Sequence, residues 1–144
     1  MVICIDFDGT CVDHRYPDIG PDAPFAVETL KELANFGHKL ILFTMRSNIG
    51  LVDAIGWFKE RNIPLYAIQF NPEQNSWSTS NKCYAELYID DAAFGCPLIH
   101  PEGFNRPCVD WTKVIIKFTE EKQLCGNLIQ VVMKQLKEDV FAQS

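Results

Sequence analysis

The stretch Val2-Ile3-Cys4-Ile5-Asp6-Phe7-Asp8-Gly9-Thr10 decides the fold, because it joins an apolar run directly to a pair of acids. An uninterrupted run of apolar, largely β-branched residues is typical of a strand buried on both faces of a parallel sheet. The run predicts such a strand over Val2 to Phe7, and Gly9 permits a sharp turn after it. We therefore expect Asp6 and Asp8 to lie at the edge of a sheet.

The composition is that of a globular domain. The chain has 144 residues, of which 47% are hydrophobic and 22% charged, so we expect one domain over residues 1–144 with a real core. The net charge of -6 argues against a broad nucleic-acid surface, and a long nucleic acid is disfavoured as a partner.

Six cysteines occur, but none lies in a C-x-x-C pair or at the Cys/His spacing of a zinc site. The chain opens on Met1-Val2-Ile3 without a cationic leader, and no apolar stretch reaches the length of a membrane span. We expect a reduced, cytoplasmic protein with no membrane partner. The cysteines are Cys4, Cys11, Cys83, Cys96, Cys108 and Cys125.

Strands and helices alternate over the first ninety or so residues. The patterns predict a helix from near Pro24 to before Gly37, a strand Lys39–Thr44, a helix Ile49–Arg61, a strand Leu65–Phe70, a loop Asn71–Asn81, a strand Glu86–Asp90 and a short fifth strand Cys96–His100. This order predicts an α/β fold, a three-layer sandwich with a mostly parallel, Rossmann-like central sheet of about five strands and helices on both faces.

The region from about Asp110 onward reads as helical with a break near Gly126. An amphipathic stripe there predicts packing against the sheet rather than a partner-binding helix. The stripe consists of Leu128, Val131, Val132 and Leu136.

Polar residues fall where the predicted strands end. Asp6 and Asp8 end the first strand, Thr44 the second, and the acids at 90 and 91 the fourth, while Lys82 lies shortly before the fourth. Ligands of such sheets bind beyond the carboxyl ends of the strands. Carboxylates gathered there repel one another unless a cation joins them, and an all-oxygen site suits Mg²⁺. With a lysine and a hydroxyl added, the set describes a phosphoryl-transfer site.

These residues resemble the four motifs of the haloacid dehalogenase-like (HAD) hydrolases. Asp6-Phe7-Asp8-Gly9-Thr10 matches the first motif, D-x-D-x-T, and Thr44, closing Leu40-Ile41-Leu42-Phe43, matches the second. Lys82 matches the third, and Tyr88-Ile89-Asp90-Asp91 matches a fourth motif with adjacent acids. The match spans most of the first hundred residues.

The resemblance implies a Mg²⁺-dependent phosphatase acting on a phosphorylated substrate. Asp6 would attack phosphorus to give an aspartyl-phosphate, and Asp8 would serve as acid and then base. Mg²⁺ would be held by the carboxylates of Asp6 and Asp90 and the main-chain carbonyl of Asp8. Thr44 and Lys82 would bind the phosphoryl oxygens, and Lys82 would also steady Asp6.

Several roles stay open at this level. Asp91 could orient Lys82 or a metal-bound water, and Arg46 could bind substrate or pair with an acid. In the same superfamily the aspartate two residues after the nucleophile separates phosphohydrolases from dehalogenases, so Asp8 disfavours dehalogenation. The short inserts between motifs imply a capless or minimally capped form. An open site suits a bulky substrate or closure by a neighbouring subunit of a homo-oligomer.

Two other functional classes remain as alternatives. A receiver-like signalling module also combines acids, Thr and Lys on a parallel sheet, but it needs a phospho-accepting aspartate at the end of a middle strand. A non-catalytic phosphate-binding protein could retain the same fold. The sequence carries no readable code for the substrate itself.

Overall fold

A computed structural model describes residues 1–120 and the single positions Gln130, Lys134 and Glu138. The predicted break near Gly126, the apolar stripe beyond it and Cys125 lie outside the described residues. The strands are β1 (Val2–Ile5), β2 (Lys39–Leu42), β3 (Ala67–Ile68), β4 (Leu87–Ile89), β5 (Leu98–Ile99) and β6 (Cys108–Val109). The helices are α1 (Ala26–Asn35), α2 (Asn48–Glu60) and α3 (Trp111–Glu120), and a 3-10 helix spans Pro72–Ser76.

A parallel sheet of four strands forms the centre of the described part, in the order β3-β2-β1-β4. Strand β1 lies between β2 and β4 and pairs in parallel with both, through Ile3 with Leu40 and with Leu87. In chain order, β2 and β3 lie on one side of β1, and β4 lies on the other side. The strand order therefore reverses between β1 and β4, and open α/β sheets bind ligands at such a reversal point. The predicted α/β class with a parallel sheet and no large cap is confirmed.

The predicted fifth strand does not join this sheet. Leu98–Ile99 pairs antiparallel with Cys108–Val109 in a separate two-stranded hairpin. Leu98 and Ile99 are 42% and 44% exposed, so they lack the two-sided burial that a strand within a parallel sheet requires. A short apolar run has the same sequence pattern in a buried parallel strand and in a hairpin strand, so the sequence alone could not distinguish the two.

Helices on both faces of the sheet were predicted, whereas in residues 1–120 the three α-helices pack against one face. Ile3 and Ile5 of β1, followed by Phe7, point into one large core with buried residues from all three described α-helices. Val2 and Cys4 point the other way, into a small cluster with Ile41 and Cys83 that contains no residue of a described α-helix. The reason is local: the connection from β3 to β4 begins with Asn71-Pro72 and forms one short 3-10 helix rather than an α-helix.

The predicted loop at 71–81 is an ordered segment that contains this 3-10 helix. Asn71 caps its start, its side chain accepting from the Glu73 N–H at 3.0 Å. Gln74 is buried, donates to the carbonyls of Ser80 and Lys82, and accepts from the Tyr84 N–H. One buried amide therefore holds the approach to β4 in place.

The helix predictions are confirmed within one or two residues at most ends. Helix α1 ends at Asn35, and Gly37 follows with φ +92°, the left-handed conformation expected of a glycine just past a helix. The five cysteines among the described residues are free thiols. None of the helices in the described part is long and apolar enough to cross a membrane.

Candidate active site

Three carboxylates meet at the carboxyl edge of the sheet. Asp6 follows β1, and Asp90 and Asp91 follow β4, on either side of the point where the fold reverses. One ligand atom from each lies within 4.8 Å of the others. The pairing of β1 with β4 fixes this meeting, since Ile5 is in register with Ile89 and the Asp6 N–H donates to the Ile89 carbonyl at 3.0 Å.

The cluster perturbs its own protonation. Burial raises the pKa of Asp6 from 3.8 to about 7, and repulsion from Asp90 and Asp91 adds to the effect, while hydrogen bonds from the Phe7 backbone and Thr10 oppose it. The pKa of Asp91 is also raised, by burial first and then by Asp90. A half-buried carboxylate with these neighbours is poised to gain a cation or a proton.

Thr10 and Gly9 hold the two halves of the cluster together. The fully buried Thr10 hydroxyl donates to Asp6 Oδ2 at 3.1 Å and accepts from the Asp91 N–H at 3.2 Å. Gly9 has φ +83°, and a Cβ there would lie 2.4 Å from Asp91 Oδ2. The chain can therefore leave β1 and pass beside Asp91 only with glycine at this position.

The Asp8 side chain forms an ion pair with Arg46 rather than joining the carboxylate cluster. Arg46 Nε donates to Asp8 Oδ2 at 2.6 Å, and Nη2 donates to Oδ1 at 2.7 Å, a two-pronged arrangement. The Arg46 side chain is 1% exposed and that of Asp8 12%. Of the two roles left open for Arg46, the structure shows pairing with an acid.

Arg46 also fixes the segment after the first motif. Its guanidinium donates to the carbonyls of Pro17 and Asp18 at 3.0 and 2.8 Å. It lies 5.1 Å from the ring centroid of Phe7 and 5.3 Å from that of Tyr16. We call residues 14–18 the flap; Arg46 ties this flap to the ends of β1 and β2.

Thr44 lies beside the acids with its hydroxyl partly committed. Its Oγ1 accepts from the Arg46 N–H at 3.1 Å, so the hydroxyl proton remains available for donation to an anion. Gln69, at φ +66° just after β3, accepts from the Thr44 N–H at 3.0 Å and donates to the Thr44 carbonyl at 2.6 Å. The amide of Gln69 thus positions Thr44.

These groups line one crevice of about 540 Å³. Lys82 does not line it; this lysine is exposed, and its Nζ lies 5.6 Å from the ring centroid of Tyr88. The role that the resemblance gives Lys82 stays a prediction. The lining residues are Asp6, Asp8, His14, Tyr16, Thr44, Met45, Arg46, Asp90, Asp91, Ala92 and Arg106.

A second rim of the crevice comes from the connection between β5 and β6, residues 100–107, which we call the hairpin loop. Asp13, fully buried, accepts from the Asn105 N–H at 3.0 Å and from Arg15 Nε at 2.8 Å. Burial alone would raise the pKa of Asp13, but these hydrogen bonds outweigh it and lower the pKa below its usual value. Asp13 thereby anchors the loop that carries Arg106 into the crevice.

Three exposed or partly exposed ring side chains pack away from the crevice. Trp77 packs edge-to-face on Tyr84 with centroids 5.3 Å apart. His38 stacks on Phe36, and His100 bonds to the Phe104 carbonyl. None of these three lines the crevice.

Sequence patterns missed Gln69, Asp13 and Arg106. Gln69 and Arg106 belong to irregular segments, where spacing carries no information on distant contacts. Asp13 had one local signal, an acid close to the first motif with Arg15 two residues on, but its main partner is 92 residues away.

The fold and the crevice together define a small α/β domain with a carboxylate cluster at the reversal point of a parallel sheet. No family model and no curated protein matches the chain. Among solved structures, a conserved protein from Bacteroides thetaiotaomicron is similar, with 41% sequence identity over 85% of this chain and 91% of that one and a TM-score of 0.67. The chain belongs to the family of that protein.

Proposed function

We propose that this protein is a Mg²⁺-dependent phosphomonoester hydrolase of the HAD type, with Asp6 as nucleophile. The observation that carries the proposal is the meeting of Asp6, Asp90 and Asp91 in a crevice that also presents Thr44. The order of the motif residues, and the position of Asp6, Thr44 and Asp90 in one crevice, support the resemblance to HAD hydrolases and their Rossmann-like fold. The connection from β3 to β4 contains a 3-10 helix in place of an α-helix. In this respect the protein departs from the predicted arrangement with helices on both faces of the sheet.

The carboxylates fit a hard divalent cation. Their oxygens lie close enough to share one ion, and all are oxygen donors of the kind that Mg²⁺ prefers. The pKa values of Asp6 and Asp91 are raised by burial first and by the neighbouring acids second, and a bound cation would offset both effects. Asp6, Asp90 and the Asp8 carbonyl would hold the ion, and Asp91 is a further candidate ligand beside the orienting role expected for it. Bound Mg²⁺ would neutralise charge between the nucleophile and the phosphate.

Asp6 carries the covalent step. An Asp6 carboxylate oxygen forms a bond to phosphorus, the bond from phosphorus to the ester oxygen breaks, and the departing alkoxide takes a proton from Asp8. A water then attacks the aspartyl-phosphate, gives its proton to Asp8, and releases inorganic phosphate. Thr10 keeps the attacking carboxylate oriented through both steps.

Asp8 has to leave part of its ion pair to act as an acid. In the pair with Arg46 both oxygens of Asp8 accept hydrogen bonds, so neither oxygen is free to pass a proton to the leaving group. A phosphate entering the crevice competes with Asp8 for the Arg46 guanidinium, since phosphate and carboxylate suit the same planar fork. Arg46 moving toward the phosphate frees one Asp8 oxygen to carry the proton.

The receiver-like alternative finds no support in the strand ends. A receiver needs a phospho-accepting aspartate separate from the acids after β1, at the end of a later strand, whereas β2 is followed by Phe43 and Thr44 and β3 by Gln69 and Phe70. The non-catalytic alternative gains no specific observation either.

Phosphate release from a panel of phosphomonoesters tests the proposal. We expect turnover with Mg²⁺, loss of turnover with EDTA, and loss in Asp6→Asn. Glu28→Gln, which removes an exposed carboxylate on α1 away from the crevice, is the matched control. An intact fold with no turnover across the panel, or equal turnover in Asp6→Asn, would refute the proposal.

A further inference from the structure

We propose that Arg106 forms a subsite for a second anionic group, so that the preferred substrates are small phosphomonoesters bearing a further carboxylate or phosphate. This inference rests on the phosphohydrolase function proposed above. It concerns the rim of the crevice rather than the acids at its base.

Arg106 is an arginine of the crevice that forms no ion pair with any carboxylate of residues 1–120. Two arginines line the crevice, and Arg46 is engaged by Asp8. Within residues 1–120, no carboxylate forms an ion pair with Arg106, and its side chain is exposed. An arginine at the mouth of a pocket lined by four aspartates would ordinarily be drawn into a pair with one of them. Its freedom leaves a guanidinium fork available to a ligand.

The position of Arg106 separates it from the reacting centre. Asp6 is half-buried at the base, close to the other cluster acids, whereas Arg106 is exposed on the rim. The other rim side chains are exposed too, with Tyr16 60% and Met45 97% accessible. A phosphoryl group that reaches Asp6 therefore leaves the rest of its molecule against this rim.

The loop that carries Arg106 is held in place. The Asn105 N–H donates to both carboxylate oxygens of the buried Asp13, at 3.0 and 3.1 Å. Arg15 donates to the Gly103 carbonyl at 2.9 Å. At the end of the hairpin, the Val109 N–H donates to the Gly9 carbonyl at 2.9 Å. These bonds join the hairpin loop to the turn after β1, so the backbone on both sides of Arg106 is held beside the crevice. Because the loop backbone is already held, a ligand that binds Arg106 has to order only its side chain and not the loop.

Charge explains why the second group should be anionic. The crevice lining offers four carboxylates near its base, which repel any anion that is not met by a positive group. A substrate with a single phosphate is met at the base; a second anion on the same molecule is tolerated only where Arg106 faces it. A guanidinium binds carboxylate and phosphate by the same two-pronged geometry, so both are admitted.

The test compares matched substrates. Glycerol phosphate and phosphoglycerate differ chiefly in a hydroxymethyl group replaced by a carboxylate. With Mg²⁺ present, we expect a KM about tenfold lower for phosphoglycerate, since a charge-assisted hydrogen bond has about that worth. Arg106→Gln should raise the KM for phosphoglycerate toward that for glycerol phosphate, and Arg106→Lys should restore part of the difference. Lys59→Gln, on an exposed position of α2 outside the crevice, is the charge-matched control.

Binding provides a readout independent of turnover. Calorimetry on Asp6→Asn with Mg²⁺ should show tighter binding of phosphoglycerate than of glycerol phosphate, and the difference should vanish when Arg106→Gln is added. Equal binding of the two esters would overturn the subsite. So would an Arg106→Gln effect of the same size on both, since Arg106 would then be contacting the transferred phosphate. Failure of turnover on every ester, with selective binding retained, would refute the hydrolase function but not the subsite.

Discussion

Arg46 and Asp8 form a buried, two-pronged ion pair, with donor–acceptor distances of 2.6 and 2.7 Å. The pair joins the residue that the resemblance makes the general acid to the flap, because the same guanidinium bonds to the carbonyls of Pro17 and Asp18. Whatever displaces Arg46 from Asp8 therefore also loosens the flap. Chemistry and access to the crevice are coupled through one side chain.

The first prediction concerns stability. Arg46→Met should lower the free energy of unfolding by about 3 kcal/mol, since removal of one partner leaves the other charge poorly compensated. Asp8→Asn combined with Arg46→Met should cost less than the sum of the single changes, with a coupling of about 1 kcal/mol or more. Urea unfolding of the four proteins measures the cycle. Additive effects would show that the pair does not couple.

The second prediction concerns pH. The folded-state pKa of Asp6 is about 7 against an ordinary 3.8, so the native protein binds this proton more tightly than the unfolded chain. The stability that this proton supplies is fully present below about pH 4 and is lost as the pH rises through about 7. Melts in EDTA from about pH 5 to about pH 8 should show metal-free protein losing stability, and Asp6→Asn should lose less. A wild-type curve that parallels that of Asp6→Asn would contradict the assignment.

Magnesium should reverse that loss. Because the cation replaces the proton as the partner of the acids, the rise in Tm on adding Mg²⁺ should be larger near pH 8 than near pH 6. Asp6→Asn should reduce the rise at both. A rise independent of pH and of Asp6 would indicate binding elsewhere on the protein.

The third prediction isolates the Thr10 hydroxyl. Thr10→Val keeps the shape but removes the donor to Asp6 and the acceptor for the Asp91 N–H. We expect kcat/KM to fall about tenfold, as for one lost transition-state hydrogen bond. Thr10→Ser retains the hydroxyl and is the matched control. Equal activity of the valine and serine variants would mean that Thr10 only packs.

The fourth prediction uses Gly9. A methyl group added there meets the Asp91 carboxylate at 2.4 Å and demands φ +83° of an alanine. Gly9→Ala should therefore move Asp91 and weaken Mg²⁺ binding about tenfold, the range seen for disturbed metal surroundings. Gly37→Ala, also at positive φ but with open space around its added Cβ, controls for backbone strain. Mg²⁺ titration by calorimetry distinguishes the two, and equal affinities would refute a role for Asp91 at the metal.

The acids and Thr44 could be located from sequence because each follows a strand whose apolar run is unmistakable. Parallel strands bring their carboxyl ends to one edge, so Asp6 and Asp90 converge whatever the details of the helices. The same reasoning does not apply to Lys82, since that residue precedes a strand and its side-chain direction depends on an irregular segment held by Gln74.

The arrangement of helices on the two faces of the sheet could not be predicted from the sequence, for a different reason. Whether a crossover is helical depends on a few residues, and here Asn71-Pro72 diverts the connection into a 3-10 helix. Leu98–Ile99 pairs with Cys108–Val109, and the sequence of a short apolar run does not indicate which strand it pairs with. Arg106 reaches the crevice because its loop is bonded to distant parts of the chain, as in the bond from Asn105 to Asp13, 92 residues away.

The most direct test of the central claim is to look for the phosphoryl group on Asp6. The protein is mixed with Mg²⁺ and a hydrolysable phosphomonoester, quenched in acid during turnover, digested, and analysed by mass spectrometry. We expect one added phosphoryl group on the peptide that contains Asp6, and none in Asp6→Asn or without Mg²⁺. Steady turnover with Asp6 never modified, or with the phosphoryl group on another residue, would contradict the assignment of Asp6 as the nucleophile.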